Sequence, residues 1–247
     1  MKPHFALSLS MDGIALFHRA PAGWDVVGEV PLDSADLPAE LARLRAMAER
    51  LRPGPALCKI VVPNDQIRYM HIATGWADNG ERTAMVEAAL EGATPYELDE
   101  LSYVCAISGE TTHVAAVARE TLDEAEEFAT SHGFAPVSFV AMPEKGDFLG
   151  EPFFGETAAA RMLLATGDRV EPDYLAIAVV GRARVPAAPE DNGDARPVGT
   201  ADTAGAGGHA ETETQGPEAV ASAANVGAAA DPDASAQPEP ARPVREA

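Results

Sequence analysis

The chain has 247 residues, with 18 Lys and Arg against 39 Asp and Glu, and its formal net charge is −21. Such a charge repels phosphate groups, so it argues against nucleic acid or an anionic membrane surface as a direct partner and favours a basic protein. The longest apolar run near the end, Leu175 to Val180, is far shorter than the ~20 residues that span a bilayer. The N-terminus lacks the apolar core of a signal peptide. Together these features predict a soluble cytoplasmic chain without membrane insertion.

Three strand patterns open the chain. Phe5 to Leu9 alternates apolar and small residues, and the pair Asp12-Gly13 is a strong signal for a two-residue hairpin. Ile14 to Phe17 supplies the second strand, and Trp24 to Val30 supplies the third. These patterns predict an antiparallel meander.

A helix and a fourth strand follow the meander. Asp36 can cap the helix, whose apolar positions from Leu37 to Leu51 recur at helical spacing. The apolar run Leu57 to Val62 predicts a strand beside the meander. This order of three strands, a helix and a strand is how ribonuclease H-like domains begin.

A middle unit of strands and helices comes next. Ile67 to Ile72 predicts a strand, and either Asp78 or Asn79 can cap the helix that follows it. Thr121 with Glu124 has the spacing of a capping box, which predicts the start of a second helix. The remaining strands are predicted at Leu101 to Ile107, Thr112 to Ala118 and Val137 to Ala141.

The order of these elements resembles the cytoplasmic actin-like domains of the PilM and GspL families, which belong to type IV pilus and type II secretion machinery. The resemblance is carried by residues 60–69, 86–91, 95–100, 114–119 and 133–137, and it covers roughly residues 4–181. It implies an α/β fold of the ribonuclease H-like, actin-like type in residues 1–181, with an inserted subdomain at about 64–142 that binds neighbouring machinery.

The sequence departs from active members of the actin-like class. Their acidic phosphate loop corresponds here to Ser8 to Gly13, where Asp12 suits a turn as well as a remnant of that loop. A helix pattern at Thr157 to Ala165 and a strand at Tyr174 to Gly181 mark the point where a second lobe would start. The alternative function is therefore a nucleotide-binding actin-like ATPase domain completed by that second lobe.

Other chemical signals in the sequence are sparse. No phosphate-loop, nucleophile-elbow or H-E-x-x-H motif occurs, so no catalytic, cofactor-binding or metal-binding residue is predicted. His71 and His113 lie in predicted strands that can bring them together, either as a metal pair or as structural histidines. Cys58 and Cys105 are read as two buried reduced thiols, with a disulfide or a reactive thiol as the alternatives.

An aromatic segment is the candidate for partner binding. Phe148, Phe153 and Phe154 lie in a Gly- and Pro-containing stretch where no helix or strand is predicted. Exposed aromatic side chains commonly meet a partner, and the alternative is that they fold back onto their own domain. The sequence predicts a non-enzymatic protein-interaction or scaffold module on the cytoplasmic side of an envelope assembly.

Residues 182–247 differ in composition from everything before them. They contain no aromatic residue, Leu, Ile or Met, and acidic residues outnumber basic ones. Such a stretch buries too little apolar surface to offset chain entropy, which predicts a disordered tail. It is read either as a linker or as a dispensable solvated extension.

Overall fold

A computed structural model describes residues 1–187, so the predicted disorder of the tail lies outside the described residues except at its first six positions. Residues 1–187 contain ten strands: β1 Phe5–Ser10, β2 Gly13–Ala20, β3 Gly23–Val30, β4 Leu57–Val61, β5 Arg68–Ala73, β6 Leu101–Ser108, β7 Thr111–Ala118, β8 Ala135–Val140, β9 Phe153–Glu156 and β10 Val179–Arg182. The α-helices in the described part are α1 Leu37–Leu51, α2 Asn79–Leu90, α3 Arg119–Ser131 and α4 Ala160–Leu163. None of them is long and apolar enough to cross a membrane.

Seven strands form the central sheet, in the order β10-β3-β2-β1-β4-β8-β9. The predicted meander is confirmed, because β1, β2 and β3 pair antiparallel in sequence. The predicted position of the fourth strand is also confirmed, because β4 runs parallel to β1. The first hairpin differs by one residue from the prediction: Ser10 pairs with Gly13, so the loop is Met11 and Asp12.

The two faces of the central sheet are covered differently. On one face α1 and α3 enclose an apolar core that includes Leu7, Ile60 and Leu41, all fully buried. The other face carries a smaller cluster around Trp24 and Val61, which is closed by Ile177 from the C-terminal part of the described chain. Alternate residues of β4 therefore meet two unrelated environments, as the period of two in a strand requires.

A second, three-stranded sheet has the order β5-β7-β6 and is antiparallel throughout. Helix α2 covers part of one face, where Val86 and Leu90 pack against Val114 and Ala116 of β7. The other face packs on the main core. The cap of α2 is confirmed at Asp78, whose carboxylate accepts from the Glu81 backbone N–H at 2.9 Å.

Three boundaries differ from the sequence prediction. Helix α3 follows β7 without a loop and begins at Arg119, so the predicted capping box at Thr121 and Glu124 is wrong. The predicted helix over residues 157–165 is the four-residue α4. The predicted strand over 174–181 is restricted to β10, which extends to Arg182 and pairs with β3, so the first residue assigned to the tail lies in the sheet.

Candidate functional site

The aromatic segment packs on its own domain. Phe148 is 9% exposed and belongs to the main core. Phe153 and Phe154 are half-buried, and the expectation of an irregular loop is wrong because both lie in β9, which pairs with β8. Phe154 packs against the main core, and Phe153 against the apolar clusters near β8. Partner binding by these three residues stays a prediction, and most of their apolar surface is already in use.

The structure brings the two predicted histidines together and keeps the two cysteines apart as free thiols. The rings of His71 and His113 lie edge-to-face with centroids 4.4 Å apart, and His71 Nε2 is 3.0 Å from the Asp147 backbone oxygen. Within residues 1–187 no three His, Cys, Asp or Glu side chains are grouped as a metal site. Both thiols are free, and the prediction that both are buried is wrong for Cys105, which is exposed on β6.

A cavity of about 450 Å³ lies where β1 and β4 end, lined by Ser8 to Asp12, by Val61 to Asp65 and by Met142. Ligands of open α/β sheets bind at the carboxyl ends of parallel strands, so this is where a nucleotide is expected. The charged side chains in the lining are Asp12 and Asp65, and no Lys or Arg is among them. The lining of this cavity therefore offers no cationic side chain to a phosphate group.

A buried ionic cluster lies on the face of the central sheet that carries Trp24. Lys59 of β4 is 2% exposed, and its ammonium contacts the Glu151 carboxylate and lies 2.8 Å from Asp173 Oδ2. Asp173 also accepts from Arg19 Nη2 at 2.6 Å and pairs with Lys2 Nζ at 3.0 Å. These contacts fasten the segment around Asp173 across the sheet face.

The pKa values within this cluster diverge. Burial raises the pKa of Glu151, and the nearby Lys59 ammonium only partly opposes that rise. Burial alone would also raise the pKa of Asp173, but hydrogen bonds from Arg19, Lys59 and Lys2 outweigh it and hold the pKa well below its usual range. One signal for this cluster is present in the sequence: Lys59 interrupts the apolar run of β4, and a fully buried lysine requires a partner.

Strand β6 is one of the two outer strands of the small sheet. It pairs with β7 alone, and its residues Cys105, Ile107 and Ser108 are exposed. Ile107 is 53% exposed and belongs to none of the apolar clusters among the described residues. An outer strand with exposed apolar side chains is a surface on which another chain can pair or pack.

Trp76 is presented at one end of the same sheet. It is 85% exposed, although the loop that carries it is held firmly. The backbone N–H groups of Thr74 and Gly75 both donate to the Glu110 carbonyl at 2.9 Å, and the Thr74 hydroxyl bonds to that of Thr112 at 2.8 Å. A tryptophan on such a loop loses little conformational freedom on binding, which is typical of an interface anchor.

The other end of the small sheet, where β6 begins, is strongly acidic. A hollow of about 460 Å³ is lined there by Tyr96 and Arg119 together with six carboxylates. The carboxylates belong to Asp99, Glu100, Glu120, Asp123, Glu124 and Glu127. The small sheet thus combines exposed apolar side chains with local negative charge.

No family model and no curated protein matches the sequence. Among solved structures, the chain is similar to the cytoplasmic domain of EpsL, an inner membrane component of the type II secretion system of Vibrio cholerae, with 12% identity and a TM-score of 0.41 over 73% of this chain and 87% of that one. It is also similar to a PilM-PilN type IV pilus biogenesis complex, with 14% identity and a TM-score of 0.44 over 58% of this chain. This chain covers about half, 48%, of the matched chain in the PilM-PilN complex.

Proposed function

We propose that this chain is a non-enzymatic protein-interaction or scaffold module that holds a protein partner at the small sheet. The carrying observation is the exposure of Ile107 and Cys105 on the outer strand β6. Trp76 supports the proposal as an exposed aromatic side chain on a hydrogen-bonded loop at the end of the same sheet. The place of action, the cytoplasmic side of an envelope assembly, is what the sequence resemblance implies.

The partner is proposed to be basic. The chain carries a net charge of −21, and six carboxylates gather in one hollow beside β6. Opposite charges accelerate association, and salt screens that effect over about 10 Å at 0.1 M ionic strength. We therefore expect capture of the partner to weaken as the salt concentration rises, mainly through a slower association rate.

The test compares two substitutions of exposed apolar residues by lysine. Ile107→Lys places a positive charge on β6, whereas Met162→Lys places one on α4, where Met162 is 85% exposed. Both proteins should fold as the wild type does, as judged by thermal melting. Pull-down from the source cell should lose the specific partner with Ile107→Lys and keep it with Met162→Lys. Equal capture by all three proteins would exclude β6 as the binding surface.

The alternative function, nucleotide binding, is favoured only by the position of the cavity at the ends of β1 and β4. Calorimetric titration of the purified chain with ATP and Mg²⁺ decides between the two functions. We expect no heat of binding, because the cavity lining supplies no Lys or Arg to hold the phosphates. Binding at millimolar nucleotide, lost on Asp12→Ala, would establish the ATPase-like alternative.

A further inference from the structure

The width of the small sheet leaves room for a second helix beside α2. Three strands spaced by about 4.8 Å place the outer strand axes about 10 Å apart, and side chains widen the face further. One α-helix with its side chains is about 10 Å across, so it covers two strands well and the third poorly. The small sheet has only α2 on this face among the described residues.

The packing of α2 shows which strand is left uncovered. Val86 and Leu90 contact β7, and Met70 and Ile72 of β5 pack against the same cluster. In the antiparallel register Cys105 is opposite Val114 and Ile107 is opposite Thr112, so both lie on the α2 side of β6. Of the β6 residues on this side, Tyr103 packs against the α2 cluster, whereas Cys105 and Ile107 are exposed. Helix α2 therefore leaves the second half of β6 uncovered.

The side of α2 that faces β6 is shaped for close approach. Glu87 marks this side, because its carboxylate accepts from the Tyr103 hydroxyl of β6 at 3.0 Å. Gly80 and Thr83 precede Glu87 by seven and four residues and therefore lie along the same side of the helix. Small side chains at these positions allow a neighbouring helix within the usual 8–10 Å between axes.

The strip is the surface between Gly80, Thr83 and Glu87 of α2 and Cys105 and Ile107 of β6. The charges near it indicate which kind of partner helix can bind there. Helix α2 contains two glutamates, Glu81 and Glu87, and Glu91 follows them at its C-cap. The one basic residue of α2, Arg82, bonds to the Ala77 carbonyl at 2.6 Å and to Asn79. We infer that the partner docks an amphipathic basic helix into the strip between α2 and β6, with apolar residues on Ile107 and Cys105 and cations toward the glutamates. This inference rests on the proposed function and specifies its partner.

Cys105 provides a reporter inside the strip. Cys58 is fully buried, so a maleimide probe should label only Cys105 in the folded chain. Desolvation by neighbours raises the pKa of Cys105, so labelling is run in mildly alkaline buffer. The probe ligand is a synthetic amphipathic helical peptide of leucine and lysine, and the control is its leucine and glutamate counterpart. The lysine peptide should slow labelling of Cys105 at least tenfold at saturation, and the glutamate peptide should leave the rate unchanged. Unchanged labelling with both peptides would overturn the inference, as would an extended conformation of the bound lysine peptide by isotope-edited spectroscopy.

Two substitutions separate the helix inference from the proposed function. Thr83→Arg places a long side chain in the strip from α2 and leaves the sequence of β6 unchanged. Ile107→Lys changes β6 itself. Both should abolish protection of Cys105 by the lysine peptide and partner capture from the cell, whereas Met162→Lys should change neither. Capture lost with Ile107→Lys but kept with Thr83→Arg would refute the helix and leave the surface in place. Capture kept with both would refute the proposed function as well.

Discussion

The buried pair of Lys59 and Glu151 predicts a strongly non-additive double-mutant cycle. In Lys59→Met the Glu151 carboxylate loses the one cation that contacts it within residues 1–187, and it keeps a hydrogen bond from the Asp173 backbone N–H at 3.3 Å. In Glu151→Gln the ammonium keeps Asp173 at 2.8 Å. Asp173 in turn keeps Arg19 and Lys2 in either variant.

The magnitudes follow from burial. At an effective dielectric constant of about 20, unit charges 2.8 Å apart attract by about 6 kcal/mol, which desolvation of the ammonium largely offsets. Stranding one charge of a buried pair costs about 3–5 kcal/mol, so we expect that loss for Lys59→Met. Glu151→Gln should cost less, about 2 kcal/mol, because Asp173 still neutralises Lys59. The double variant leaves no stranded charge and should lie within about 1 kcal/mol of the wild type.

Urea unfolding followed by circular dichroism at pH 7 measures all four free energies. The exposed pair Arg43 and Glu40, 2.6 Å apart on α1, is the matched control, and its double variant should change stability by less than about 0.5 kcal/mol. If the cost of the double variant equals the sum of the single ones, the two side chains do not interact. If Lys59→Met costs below about 1 kcal/mol, the cluster is open to water.

Three further outcomes are expected. Asp173 has a depressed pKa in the fold, so its contribution to stability is present above the unfolded pKa of about 3.9 and is lost as the pH falls below that value. The difference in unfolding free energy between wild type and Asp173→Asn should therefore shrink in acid. A constant difference from pH 7 to 3 would contradict this. A thiol-reactive dye should titrate one cysteine of the native chain, because burial raises the pKa of Cys58 to about 12 and shields it, and two fast thiols would mean that β4 opens. Asp78→Ala should lower stability by about 1 kcal/mol through loss of the α2 capping box, measured by thermal melting, and an unchanged midpoint would show that α2 does not depend on this cap.

Local pattern accounts for much of the fold. The hairpin signal near Gly13, the apolar spacing of α1 and the run that became β4 each rest on residues close in sequence. Each element formed, with the hairpin loop shifted by one residue. The α/β class followed from their order. Boundaries were less secure where two signals overlap: Thr121 offers a cap, yet the chain passes from β7 into α3 at Arg119.

The sequence by itself determined the order of most elements, the acidic charge and the scarcity of catalytic motifs, because periodicity and composition are local or summed properties. Only the tertiary structure decided which faces are covered. Phe148 lies in the core and Ile107 in solvent although both are large and apolar, and Lys59 is neutralised by carboxylates 92 and 114 residues away. Burial and charge pairing depend on contacts between distant parts of the chain, and no local pattern encodes where α2 stops covering the small sheet.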